Sequence, residues 1–185
     1  MILNERSEGM IYFTSDLHLN HCAVIPMCER PFDSVEEMNQ VLIDNINFRV
    51  KKNDTLYLLG DLTNKGTVVS ANELISQIKC KNLILVVGNH DKKYDTSLFK
   101  EIQNLMEIHA GIDGRNHSIT LCHFPMLSWP KSRHGSIHLH GHIHSRGAEY
   151  NLQMKTEGIR RYDVGVEANN YLPVSLEEIL SFMEL

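Results

Sequence analysis

Several things this chain lacks narrow its possible roles before any motif is considered. No apolar run approaches the ~18 residues needed to cross a bilayer, and Met1-Ile2-Leu3-Asn4-Glu5-Arg6 carries no apolar secretory core. Basic excess is missing too. The net charge is -5, which argues against a general nucleic-acid-binding surface. The four cysteines, Cys22, Cys28, Cys80 and Cys122, show no paired spacing and no Cys-x-x-Cys. A disulfide framework and a zinc-finger-like structural site are therefore not expected, and the thiols read as buried groups of a reducing compartment. The expectation is a cytoplasmic protein without a membrane partner. No repeat, low-complexity tract or linker interrupts residues 1–185, so one domain is expected.

Histidine is plentiful, with 11 copies, and imidazole is the commonest protein metal ligand. Five short stretches concentrate metal-binding side chains: Asp16-Leu17-His18, Gly60-Asp61, Gly88-Asn89-His90-Asp91, Cys122-His123 and Gly141-His142-Ile143-His144. Four follow apolar runs, at Ile11–Phe13, Leu56–Leu59, Leu83–Val87 and Ile119–Leu121. The last follows the mixed Ile137-His138-Leu139. Groups placed repeatedly where strands end converge on one sheet edge, where open α/β folds build their sites.

Helix starts are marked by Ser three residues before Glu at Ser34/Glu37, Ser70/Glu73 and Ser175/Glu178, the capping-box pattern. Apolar spacing predicts a further helix over about 97–106, with Leu98, Ile102, Leu105 and Met106 as its stripe. The first half thus reads as a βαβαβ series with a parallel sheet. Beyond His109 the pattern turns to strands at 118–123, 136–140 and 160–166, with turns near Asp113-Gly114 and Trp129-Pro130. The predicted fold is a two-sheet α/β sandwich with mixed sheets and helices outside.

Each motif alone admits a bland reading. Asp16 and His18 would leave an extended segment on the same side and could hold one ion, but D-x-H is also common in surface loops. Asp61 could equally cap a turn, and His123 could be a satisfied core residue. Together, Asp16, His18, Asp61, Asn89, His123, His142 and His144 supply seven ligand-type side chains. Tetrahedral zinc takes four ligands, so seven suit two ions sharing a carboxylate.

In order and identity these stretches resemble the calcineurin-like metallophosphoesterase superfamily, whose pattern is D-x-H, G-D, G-N-H-[D/E], H and G-H-x-H. The resemblance runs from Asp16 to His144, and the end around Asp163 and Pro173 is similar to that of small, compact members. It implies a metal-dependent phosphoesterase acting on phosphodiesters or phosphomonoesters. One metal would be held by Asp16, His18, Asp61 and His144. The second would be held by Asp61, Asn89, His123 and His142, with Asp61 bridging. Attack by a metal-bridging hydroxide, with His90 as general acid, is the implied chemistry. The implied cofactors are two divalent ions, Mn²⁺ first, with Fe, Zn or Ni as alternatives; mixed N/O ligation fits these better than Mg²⁺ or Ca²⁺.

The chain departs from relatives that read G-D-x-x-D, because Asn64 stands where a carboxylate would support the catalytic histidine. Asn64-Lys65-Gly66 resembles the N/D-R-G of dinucleoside polyphosphatases and protein phosphatases, where Lys65 would meet phosphate as a point charge, although Thr67 departs from them. Asn20, His21, Arg30 and Arg133 are further candidate phosphate contacts, each also readable as a surface or capping residue. The expected partner is a small phosphorylated substrate, a nucleotide or phosphodiester, because 185 residues leave no room for a large cap domain. The rival reading is a catalytically idle scaffold of the same fold acting as a protein-binding module. The sequence carries no signal of oligomeric state.

Overall fold

The computed structural model of the chain describes residues 9–63, 68–92, 94–112 and 114–185. In order they form Ile11–Thr14 (β1), Val24–Met27 (α1), Val35–Arg49 (α2), Thr55–Leu58 (β2), Val68–Ile75 (α3), Asn82–Val86 (β3), Glu101–Gln103 (β4), Leu105–Ile112 (β5), Arg115–Cys122 (β6), Ile137–His140 (β7), Glu149–Thr156 (α4), Arg161–Asp163 (β8), Val174–Ser175 (β9) and Leu176–Met183 (α5). The first sheet has the order β4-β3-β2-β1-β9, parallel except for β9. The second, β5-β6-β7-β8, is an antiparallel hairpin extended by two parallel strands. The two mixed sheets with flanking helices are the expected sandwich.

Both faces of the first sheet are covered, which explains its continuous apolar runs. Tyr12, Leu56, Leu58, Leu83 and Leu85 pack toward α2 and α3, against Met38, Leu42, Ile46 and Ile75. Their neighbours Phe13, Tyr57, Leu59 and Val86 point the other way, against Ile119, Leu121, Ile137 and Leu139 of the second sheet. Successive residues of one strand therefore serve two cores, and a one-residue slip would exchange them.

Two expectations are corrected. Residues 97–106 do not form a helix: a single 3-10 turn at Thr96–Leu98 leads into β4, and β5 begins at Leu105. The open edge of β3 decides this, because Glu101–Gln103 satisfies its backbone groups in parallel register. Leu98 and Ile102 still reach the first core, so spacing alone did not separate helix from strand. Ser70 is also not a cap, since α3 already includes Val68 and Val69. The other two caps form. Ser34 accepts the amide of Glu37, whose own carboxylate reaches past the cap to the Asp33 amide. Ser175 and Glu178 make the full reciprocal box.

Replacing Ser175 by Ala should cost about 1 kcal/mol. Thermal unfolding followed by circular dichroism should show a drop of roughly 2–4 °C. An unchanged midpoint would mean that the box contributes nothing.

Candidate metal centre

Each metal-binding stretch starts one to three residues beyond a strand: Asp16 after β1, Asp61 after β2, Asn89 after β3, His123 after β6 and His142 after β7. The carboxyl edges of the two sheets are joined directly. Ser15 and Gly165 form a parallel bridge, the Val166 amide donates to Ser15 O at 3.2 Å, and the His123 ring meets Leu59 O through Nδ1 at 2.8 Å. Side chains from both sheets therefore meet at one seam.

The local backbone differs from the extended geometry expected for Asp16 and His18. Asp16 (φ 60°), His18 (φ 49°), Asp61 (φ 54°), His142 (φ 73°) and His144 (φ 47°) all lie in the left-handed region. That conformation costs a non-glycine residue roughly 1–2 kcal/mol. Alternating left-handed residues coil the chain so that side chains two apart face the seam together. Cross-strand bonds hold them there: Asp16 N to Gly60 O at 3.0 Å, His18 N to Asp61 O at 2.9 Å and Leu19 N to Leu62 O at 2.8 Å.

The ligand-type side chains of the motifs form two groups, Asp16, His18 and His144, and Asp61, His123 and His142, while Cys28 and Glu167 close a third around the far side of His144. In the first, His18 Nε2 and His144 Nε2 are 3.2 Å apart, and His144 Nε2 is 3.7 Å from Asp16 Oδ1. In the second, His123 Nε2 is 3.2 Å from His142 Nδ1, 3.1 Å from Asn89 Oδ1 and 3.5 Å from Asp61 Oδ2. Asp61 Oδ2 also lies 3.7 Å from His18 Nε2, so it stands between the groups. His90 overhangs them, its side chain 38% exposed and its Nε2 3.9 Å from Asp61 Oδ2.

These residues fit divalent cations. Nitrogens bound at about 2.0–2.1 Å to one ion sit roughly 2.9 Å apart at right angles and 3.4 Å apart at tetrahedral angles. Both imidazole pairs fall within that range at 3.2 Å. Asp16 Oδ1 is buried with no hydrogen-bond partner although it faces two imidazoles, a cost that a cation there would remove. His18 Nδ1 is likewise buried without a partner.

At His18 and Asp61 protonation leans the same way. Burial above all, then the nearby His144, pulls His18 down to about 3, leaving the neutral imidazole that a metal requires. Burial pushes Asp61 up, but the bonds to His123 and the His90 amide outweigh it and hold the carboxyl at about 2. Burial drives Asp16 up to about 7 against the pull of His144 and His123. Without a cation this carboxylate is the strained member of the set.

Neighbouring residues keep the ligands in place. The Asp91 carboxylate accepts the amides of Asp61, Leu62 and Gly88, each at 2.8 Å, and so ties the loop after β2 to the loop after β3. It is an anchor rather than one of the facing ligands. Gly60 and Gly88 allow that contact, since a Cβ on Gly60 would lie 2.6 Å from Gly88 Cα. Arg30, expected at the substrate, is instead buried behind the site. It bonds Glu167 Oε1 through Nε at 2.9 Å and Nη2 at 2.7 Å, and donates to Asp16 O and Leu17 O. Its charge is committed internally and unavailable to phosphate.

Asn20 is tied to Asn39 of α2 by two hydrogen bonds. His21 is buried, with its ring 5.5 Å from that of His18. Arg133 is exposed on the 3-10 turn Ser132–His134. Lys65 and Asn64 lie outside the described residues. His138 and His140, which alternate with other residues just before His142 and His144 in the sequence, are fully buried and bond to Thr120 O and Gly141 O, away from the facing groups. The sequence carried no signal for Glu167, whose partners stand 137 and 23 positions away.

Two outcomes follow. A Cβ on Gly141 would collide with Ser15 Oγ and Asp16 Oδ2, so Gly141→Ala should fold yet bind Mn²⁺ at least about tenfold more weakly in calorimetry, comparable to loss of a ligand support. Unchanged affinity would contradict this geometry. Burial pushes the Glu167 carboxyl up, but the His144 bond and the Arg30 charge overcome it and lower it from 4.5 to about 2. A depressed carboxylate stabilises the fold fully above its unfolded pKa, so this contribution should fade as pH falls from about 4.5 towards 2. Glu167→Gln should flatten the stability profile in that window, as measured by denaturant unfolding. An equally steep profile in the variant would assign the effect elsewhere.

A family model described as calcineurin-like phosphoesterase matches residues 9–163. An uncharacterized protein of Methanocaldococcus jannaschii is 37% identical over 181 residues, covering 96% of this chain and 93% of its own length. The Gene 66 protein of Mycobacterium phage D29 is 28% identical over 162 residues, covering 74% of this chain and 79% of its own. Among solved structures, a protein of unknown function from Aquifex aeolicus superposes with a TM-score of 0.70 at 27% identity, covering 94% of this chain and 99% of its own. With these matches and two facing groups of metal-binding side chains, the chain belongs to the calcineurin-like phosphoesterases, a family of metal-dependent hydrolases of phosphoesters.

Proposed function

We propose that the protein hydrolyses a small organic phosphoester, a phosphodiester or nucleotide rather than a polymer, at a dinuclear centre bridged by Asp61. The observation that carries this reading is the placing of Asp61 Oδ2 3.7 Å from His18 and 3.5 Å from His123, one imidazole from each group. Asp16, His18, Asp61 and His144 would hold one divalent ion, and Asp61, Asn89, His123 and His142 the other. Mn²⁺ is the first candidate, and Fe, Zn or Ni suit the same mixed N/O donors. Such ions acidify water and neutralise charge on phosphoryl oxygens.

The chain's own residues supply the rest. His90 is half-exposed above Asp61, within reach of an ester oxygen on the solvent side, where an imidazolium would protonate the departing alkoxide. The hydrogen bond that the His90 backbone N–H donates to Asp61 Oδ1 at 2.9 Å fixes where that imidazole starts from. Phe124 offers a flat apolar surface beside the second group of ligands, with its ring 4.7 Å from that of His142 and 44% exposed. A planar organic group, such as a base or an aryl ring, would bury area there. This favours an ester with such a group over inorganic phosphates.

Turnover of an aryl phosphodiester by the Mn²⁺-loaded protein tests the class. His90→Ala should lower kcat by about 10²–10⁴-fold while metal stays bound. Asp61→Ala should lose both metal and turnover. If His90→Ala released the metal, the role of His90 would be wrong. A fully loaded protein with no turnover on any ester of a broad panel would favour the scaffold reading.

A further inference from the structure

The two groups of ligands are backed unequally. His123 turns its Nδ1 to a neutral backbone carbonyl, Leu59 O, at 2.8 Å. His144 turns its Nδ1 to a buried carboxylate, Glu167 Oε1, at 2.9 Å. A carboxylate only accepts, so a hydrogen sits on Nδ1 and Nε2 is the atom turned towards His18 and Asp16. Arg30 neutralises Glu167 through the same Oε1 and grips the main chain of Asp16 at 2.7 Å and Leu17 at 2.9 Å. One buried unit therefore sets the tautomer of one ligand and the position of another, both in the same group.

Glu167 reaches this place from the short 3-10 turn Glu167–Asn169, next to the bridge between Ser15 and Gly165. It lies four residues past the end of the family match at residue 163. The five ligand stretches of the sequence motif do not include it.

Resting on the dinuclear reading above, we infer that Glu167 is the positioning residue for His144 and makes the two metal positions unequal. The position formed by Asp16, His18 and His144 fills first, and the one formed by Asn89, His123 and His142 fills second. A carboxylate behind a ligating imidazole fixes its orientation and raises its basicity, and losing such support weakens binding about 10–100-fold. The second position has only a carbonyl behind His123 and gains less.

Mn²⁺ titration of the full chain, followed by electron paramagnetic resonance and calorimetry, tests this. The wild type should take up two ions in two resolved steps. In Glu167→Gln the tighter step should weaken by about 10–100-fold while the weaker one stays put, merging the two. Arg30→Lys leaves the Glu167–His144 bond but loosens the grip on Asp16, and should weaken the tighter step by about threefold, below that range and less than Glu167→Gln does. Unchanged steps in Glu167→Gln would overturn the inference. So would equal weakening of both steps, or an Arg30→Lys loss as large as that of Glu167→Gln, since either would make the role one of packing. A wild type that takes up no Mn²⁺ at all would instead overturn the dinuclear reading itself.

Discussion

The site depends on how one buried carboxylate, that of Asp61, is held between two sets of imidazoles. Its Oδ1 accepts the His90 amide at 2.9 Å, which leaves Oδ2 to face His18, His123 and His90. Its backbone is fixed by Asp91, which also holds the loop after β3. A charge buried this deeply is costly unless it is paired. Here Oδ2 faces ring nitrogens of both groups, an arrangement that cations between them would complete. Each half of the site is incomplete without the other.

The fold meets this demand at some expense. Five of the facing residues sit in left-handed conformations that an ordinary loop would avoid. They stay there because both sheets end at the same seam, and because the apolar residues of β1, β2 and β3 are locked into two separate cores. Glycines appear where backbones touch, as at Gly60 and Gly88, or where a side chain would fill the ligand space, as at Gly141. Asp16 sits at 0% exposure with one oxygen unpartnered. Strain and desolvation thus collect at the place where chemistry is expected.

Much of this was legible in the residues. The alternation of apolar runs with ligand-type residues marked the strand ends, and the order of motifs pointed to the family. Ser34 and Ser175 announced their helices through local chemistry that needs no tertiary context. The stretch 97–106 misled because its apolar spacing suits a helix as well as a short edge strand. The empty edge of β3, which is not a local property, made the choice. Arg30 looked like a phosphate contact because arginine commonly is one. Its true partner, Glu167, is 137 positions away and became visible only once β1 and the turn after β8 were brought together. Asp16 and His18 do face the same space, but through left-handed backbone rather than extension.

Anomalous diffraction from crystals grown with excess Mn²⁺ examines the central claim most directly. The account predicts two peaks about 3.5–4 Å apart with the Asp61 carboxylate between them. A single peak, or an Asp61 side chain turned away from ions held only by histidines, would contradict it.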